Sequence, residues 1–306
     1  MIDIFIFIVS MIVLIYGADA VVNQSEKISN HFDISPFIIG ATILALGTSL
    51  PEMAVSMKAS YINKADIAVS NVIGSTIFNI ALVLSVVFLI SKNAKAQRDI
   101  FAKDSVWIVL PLFVFLLASL DGTIGFIDGV LFVCLMWSYL LFLLKSNDIE
   151  TDKQNNVGFS WISTTAIILF GFVAVVAGAN FAVHSATNIA IFFGINEWVI
   201  GIFLIAFSTS LPELVVAIKA AKKSNIDMAI GAIIGSNMAN FSIVLGFSAM
   251  VNPLAIKLNM ASFDIVAAFV VSLMFVFFTA NKLYGKSAGI SLLIVLALVI
   301  QNSLIR

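Results

Sequence analysis

Residues 39–79 and 200–240 are two copies of one stretch of chain. The run IGATILALGTSLPEMAVSMKAS from Ile39 aligns with IGIFLIAFSTSLPELVVAIKAA from Ile200 at a constant offset of 161 residues. The match continues without a gap through Gly74-Ser75 and Gly235-Ser236 to Asn79 and Asn240, with 17 identities in 41 positions. The same offset pairs Gly17-Ala18 with Gly178-Ala179, so the first helix of each half belongs to the repeat. Self-similarity at a fixed period implies matching structural units. What needs explaining is why both units keep Thr, Ser, Pro, Glu and Asn inside apolar runs.

The surroundings of the repeats set their solvent. The chain of 306 residues is 61% hydrophobic and only 11% charged, whereas a soluble domain is about half apolar and a quarter charged. One soluble core does not hide that excess, so the bilayer must solvate most of it. With about 20 apolar residues per crossing, ten spans are expected: 2–22, 34–60, 66–91, 104–120, 123–145, 161–190, 196–220, 226–250, 260–279 and 285–304. The fold class is therefore all-α and polytopic, with two five-helix halves at 1–145 and 159–306 joined by a polar linker at 146–158. Ala18-Asp19-Ala20 has the form of a signal-peptidase site, yet no Lys or Arg precedes it. A secretory leader starts with a positive segment, so the first span is expected to remain as a membrane helix.

Positive charge sets the orientation, because short cytoplasmic loops keep Lys and Arg. One set of alternate loops holds twelve: Lys27, Lys92, Lys95, Arg98, Lys103, Lys145, Lys153, Lys219, Lys222, Lys223, Lys282 and Lys286. The other side holds four, Lys58, Lys64, Lys257 and Arg306. Both termini are expected outside and the linker in the cytoplasm. Five spans per half is an odd number, so the second copy enters the membrane from the opposite face. Inverted repeats with interrupted helices point to a secondary transporter with a site at the midplane. A net charge of −1 argues against nucleic acid as a partner. Cys134 is the lone cysteine and His31 and His184 the only histidines, which leaves little for thiolate or imidazole chemistry.

In the first copy Thr48, Ser49, Pro51 and Glu52 lie mid-span, with Thr48 and Glu52 four apart on one helical face. Pro51 lacks an N–H, which strips the Gly47 carbonyl of its donor and kinks the turn. A freed carbonyl in hydrocarbon must line a cavity or bind something, and an ionisable Glu at that depth is by default functional. Ser75 and Asn79 form a second oxygen-bearing face on the next span, where Gly74 permits close backbone approach. The second copy supplies Thr209, Ser210, Pro212, Glu213, Ser236 and Asn240. All donors are oxygens, a set that suits hard cations such as Ca2+ and Na+ rather than zinc or copper. Plainer readings stand beside this one. Hydroxyls in membrane helices often bond back to the i−4 carbonyl, and Ser49 and Ser210 are the most open to that. Gly74 and Gly235 suit packing equally well. Asp19, Asn180 and His184 read as interfacial, and Asp121 and Asp128 as solvated at an external turn. A serine nucleophile lacks a base, so no enzyme activity and no resident cofactor are expected.

Two inverted copies of G-T-S-L-P-E, each followed by G-S-x-x-x-N, resemble the α-repeats of the sodium/calcium exchanger family within the cation/Ca2+ antiporter superfamily. The likeness runs over essentially the whole chain and is to the short prokaryotic type. It implies a central Ca2+ site from Glu52 and Glu213 with the carbonyls of Thr48 and Thr209. It also implies Na+ sites using Ser49, Ser75, Ser210, Ser236 and the carbonyls of Ala45 and Ala206, with Asn79 and Asn240 completing the ring. Three positions depart from the family pattern. Ser208 replaces the glycine before Thr-Ser, Ala232 stands where an Asn often precedes G-S, and Asn240 takes a position that is Asp in many relatives. Loss of that third negative charge argues against K+ co-transport.

The expected activity is Na+/Ca2+ antiport by alternating access in the plasma membrane, with the lipid bilayer as surroundings and a monomer as the working unit. The first and sixth helices, with Gly17 and Gly178 near their ends, are the expected sliding elements. Ca2+/H+ exchange through the same two glutamates is the nearest rival, since burial raises a carboxylate's affinity for protons. A passive cation channel is the rival from another class.

Overall fold

The computed structural model describes residues 2–91, 96–146, 159–192, 197–256 and 258–305, with the side chains of 190, 197–207, 258–260 and 304–305 set aside. The chain is helical almost throughout. In order come α1 (Ile2–Phe32), α2 (Pro36–Thr48), α3 (Leu50–Tyr61), α4 (Ala65–Ile90), α5 (Ile100–Ala118) and α6 (Phe126–Lys145). They are followed by α7 (Trp161–Phe192), α8 (Glu197–Lys222), α9 (Ile226–Val251), α10 (Leu258–Ala280) and α11 (Lys286–Ile305). Among the described residues eight helices are long and apolar enough to cross a membrane, or nine with α2 and α3 taken as one bent span. The expected span at 196–220 falls on α8, whose residues 197–207 lie outside the described side chains and so outside that tally. The linker beyond Ser146, with Lys153, lies outside the described residues, as do Lys92, Lys95, Lys257 and Arg306.

The expected first span ends at residue 22, yet α1 continues for ten more residues through a polar stretch. One face of that stretch is packed, with Gln24, Ser25 and Ser29 buried, while Asn23, Asn30 and His31 are exposed. The Ser29 hydroxyl donates to the Ile34 carbonyl at 2.6 Å and closes the turn into α2. Length scales for membrane crossing mark where hydrocarbon ends, not where a helix does.

Burial sorts the helices into a centre and a periphery. The spanning segments of α9 and α4 are 94% and 67% buried, against 28–39% for α1, α5, α6, α7, α10 and α11. α4 and α9 carry the second motif of each copy, so the repeats occupy the middle of the molecule. Their contacts with the partner copy are close enough to exclude side chains. A Cβ on Gly235 would sit 2.3 Å from the Ala41 carbonyl oxygen, and one on Gly231 2.2 Å from that of Phe37. Gly235 is thereby accounted for as a packing residue. At the periphery α1 runs along α7, where a Cβ on Gly17 would meet Ala174 and one on Gly178 would meet Leu14.

Single π turns interrupt the α-helical pattern at Gly40–Leu44, Asn79–Leu84 and Asn240–Val244. The last two begin at the Asn shared by the copies. Such turns insert one extra residue and occur often at functional sites.

The two ends of the bundle are tied differently. At one end β1 (Thr123–Ile124) pairs antiparallel with β2 (Leu254–Ala255). There the Ser60 hydroxyl also donates to the Ser248 carbonyl at 2.6 Å. At the other end sits Arg98, expected to be an ordinary loop cation but in fact buried. Its guanidinium grips Asp104 through Nε at 2.6 Å and Nη2 at 3.1 Å, reaches the Ser146 carbonyl at 2.9 Å, and covers the Phe37 ring. Backbone N–H groups of Gln97 and Arg98 donate to the Asp227 carboxylate on α9. Burial, aided by nearby Asp99 and Asp227, pushes the Tyr284 hydroxyl up to about 12.

Candidate metal centre

The bend that Pro51 predicts is present. α2 and α3 meet at 45°, with Ser49 between them at φ −81°, ψ 4°. Proline then fits the first turn of α3, where a missing N–H costs nothing, and Glu52 follows it into the interior with no exposed surface. The corresponding break at Pro212 is absent: α8 runs unbroken from Glu197 to Lys222. A proline removes one helical hydrogen bond and can be absorbed by local adjustment without ending the helix, as Pro111 also is inside α5.

The two motifs meet across the copies. The Thr48 hydroxyl lies 3.5 Å from that of Ser236, and the Ser75 hydroxyl lies 3.4 Å from that of Thr209. Since 209 is 48 plus 161 and 236 is 75 plus 161, these are one contact made twice with the copies exchanged. The carboxylates follow the same crossing. Thr209 lies beside Glu52, Thr48 and Ser49 lie beside Glu213, and the two glutamates are near enough to each other to interact electrostatically.

None of these approaches completes a hydrogen bond to a carboxylate oxygen. Among the described residues twelve buried side-chain polar atoms have no partner, and nine of them are here. They are both oxygens of Glu52 and of Glu213, both amide atoms of Asn240, Asn79 Oδ1, Ser49 Oγ and Ser210 Oγ. Buried polar groups are otherwise almost always satisfied, and no ion pair to either Glu is found among the described residues. A ring of unpartnered oxygens around two buried carboxyl groups has the chemistry to hold a cation. No trio of His, Cys, Asp or Glu occurs among the described residues, so any such ion would rely on hydroxyl, amide and carbonyl oxygens too.

The expected residues are thus largely assembled, with some changes of part. Ser49 and Ser210, the residues most open to back-bonding, leave their hydroxyls free, while Thr48 bonds back to the carbonyls of Leu44 at 3.1 Å and Ala45 at 3.3 Å. The Ala45 carbonyl accepts the Ser49 N–H at 3.1 Å and faces the Ser236 hydroxyl at 3.5 Å. Ala206 falls within the stretch of α8 whose side chains lie outside the described set. Asp19, read as interfacial, bonds Lys219 on α8 at 2.6 Å. Asp121 and Asp128 cap the backbone N–H groups of Thr123 and Gly125.

Two amides at the centre, Asn71 and Asn237, are not among the residues singled out from sequence. Asn71 donates to the Glu52 carbonyl and to Ser56 Oγ, and Asn237 accepts from Asn79. Buried amides within apolar helices, one of them adjacent to Gly235-Ser236, were the available signal.

Apolar helices that bury two carboxyl groups in an oxygen-lined centre belong to a multi-pass membrane protein, and comparison with known proteins places it among the cation exchangers. The sequence matches the family described as sodium/calcium exchanger protein over residues 2–145 and 163–303. The chain belongs to that family. It is 36% identical over 290 residues to an uncharacterized membrane protein of Methanocaldococcus jannaschii, covering 93% of this chain and 92% of that one. It is 26% identical over 295 residues to the sodium/calcium exchanger MaX1 of Methanosarcina acetivorans, covering 82% and 83%. Among solved structures, the sodium-calcium exchanger NCX_Mj soaked with Na+ and Ca2+ superposes with a TM-score of 0.84 at 33% identity, over 98% of both chains.

Proposed function

We propose that this chain exchanges Na+ for Ca2+ across the plasma membrane by alternating access. The observation that carries the reading is the pair of buried, unpartnered carboxylates, Glu52 and Glu213, ringed by unpartnered hydroxyl and amide oxygens. In this reading Ca2+ binds between the two carboxylates with the Thr48 and Thr209 carbonyls. Na+ takes overlapping sites at Ser49, Ser75, Ser210, Ser236 and the carbonyls of Ala45 and Ala206, and Asn79 and Asn240 close the ring. Bringing two negative charges through hydrocarbon uncompensated costs several kcal/mol per ion. Only the loaded site changes sides, and that couples the two fluxes. The paired contacts Thr48–Ser236 and Ser75–Thr209 support two inverted five-helix halves. The distribution of Lys and Arg supports termini outside and a cytoplasmic linker.

The test is Ca2+ uptake into vesicles reconstituted with purified protein, with Na+ and proton gradients imposed separately. Uptake is expected to require an opposing Na+ gradient, to ignore a proton gradient and to vanish in Glu52→Gln. Uptake driven by protons alone would assign Ca2+/H+ exchange, and fast uptake without a counter-ion would assign a channel. Uptake that survives Glu52→Gln would remove this site from the pathway.

A further inference from the structure

The ligand oxygens are duplicated, but the groups that hold them are not. Behind Glu52, the buried amide of Asn71 makes three bonds. Its Nδ2 donates to the Glu52 carbonyl at 3.2 Å and to Ser56 Oγ at 2.9 Å, and its Oδ1 accepts the Thr209 hydroxyl at 3.5 Å. One amide thus fixes the turn that carries Glu52 and ties to it a threonine from the other copy. On α9 the Oδ1 of Asn237 accepts Asn79 Nδ2 at 3.1 Å. That bond decides which end of the Asn79 amide is used up, and its oxygen is left unpartnered.

The offset of 161 places alanines behind the second glutamate. Asn71 and Ser56 correspond to Ala232 and Ala217, which offer no bond. The counterpart of Asn237 is Thr76, whose hydroxyl donates to the Val72 carbonyl of its own helix at 3.0 Å. Consistently, both amide atoms of Asn240 are without partners, whereas Asn79 has its Nδ2 engaged.

We infer that Asn71 and Asn237 are positioning residues that hold the Glu52, Asn79 and Thr209 half of the cation site in fixed geometry and leave the Glu213 and Asn240 half free to adapt to the ion. The inference rests on the exchange reading above. Its chemistry is general. Amides that orient ligands without touching the metal alter affinity by about 10- to 100-fold, and selection between cations of similar charge depends on how rigid the site is. The held half sets the ion size accepted, and the loose half closes on whichever ion enters.

The experiment measures Na+-driven Ca2+ uptake in reconstituted vesicles, with Sr2+ as competitor, for wild type, Asn71→Ala, Asn237→Ala and Thr76→Ala. Wild-type uptake that depends on Na+ and on Glu52 must be seen first; its absence would sink the exchange reading itself. Given that, Asn71→Ala and Asn237→Ala are expected to raise the KM for Ca2+ by about tenfold or more. They should leave kcat within about threefold and narrow the preference for Ca2+ over Sr2+. Thr76→Ala, a buried loss that touches no ligand, should match wild type. If Asn71→Ala fails to fold, Ser56→Ala removes one of its bonds and should move KM and preference the same way by less. Variants that lower kcat and leave KM and the ion preference unchanged would overturn the positioning role. So would a Thr76→Ala shift equal to theirs.

Discussion

The bent pair α2–α3 and the straight α8 carry the same Thr-Ser-Leu-Pro-Glu, yet one turns by 45° at its proline and the other runs through. The difference lies in what surrounds the motif. In the first copy Gly47 lies beneath the Phe172 ring of α7, so close that a Cβ would come within 2.1 Å of it. A π turn precedes the bend, and Asn71 secures the far side. In the second copy Ser208 replaces that glycine, alanines back the glutamate, and Lys219 and Lys223 near the end of α8 bond to Asp19 and Glu26 of α1. Duplicated ligands therefore sit on mechanically unequal helices. The motif determines the chemistry, and the packing determines how each helix delivers it.

The largest expected effect tests what the copies share. Glu52→Gln and Glu213→Gln should each cut Na+-driven Ca2+ flux by about 100-fold or more, because one remaining carboxylate leaves a divalent ion half neutralised in a low-dielectric site. A variant that spares flux would show the two glutamates to be unequal in chemistry as well as in support.

Next comes the packing contrast. Gly47→Ala must displace the buried Phe172 ring and should lower stability by about 1–3 kcal/mol, read as a lower midpoint of thermal unfolding in detergent. Ser208→Gly should lower it by about 0.5–1 kcal/mol at most, the ordinary cost of glycine inside a helix. Equal losses would mean that the α2–α7 contact is not what separates the copies.

The smallest effect belongs to the ion pair found only in the second copy. Lys219 and Asp19 are part-exposed, so Lys219→Met should cost about 0–1 kcal/mol and fade in high salt, measured as the same unfolding midpoint at two ionic strengths. Its counterpart Lys58 is exposed and has Asn180 at the position equivalent to Asp19. Lys58→Met should therefore change nothing.

These contrasts also explain what was legible before the structure. The repeat, the two glutamates and their hydroxyl neighbours could be read because each is a local pattern whose polarity conflicts with its apolar surroundings. Most helix ends fell within a few residues of expectation for the same reason. Packing depends on residues distant in sequence, and it defeated the reading. Arg98 counts as a loop cation until Asp104, Ser146 and Phe37 are brought around it. Pro212 predicts a break that its neighbours absorb. Asn71 and Asn237 sat inside the aligned repeats, but their use depends on partners from α3, α4 and α8. The freedom of Ser49 and Ser210 likewise depends on local geometry at the bend and within α8, which composition does not encode.

The central claim is that Glu52 and Glu213 jointly hold the transported cation. Calorimetric titration of Ca2+ into purified protein in Na+-free detergent tests it most directly. Saturable binding is expected that Na+ displaces and that both Glu52→Gln and Glu213→Gln abolish. Ca2+ binding that persists in both variants, or that Na+ leaves untouched, would contradict it.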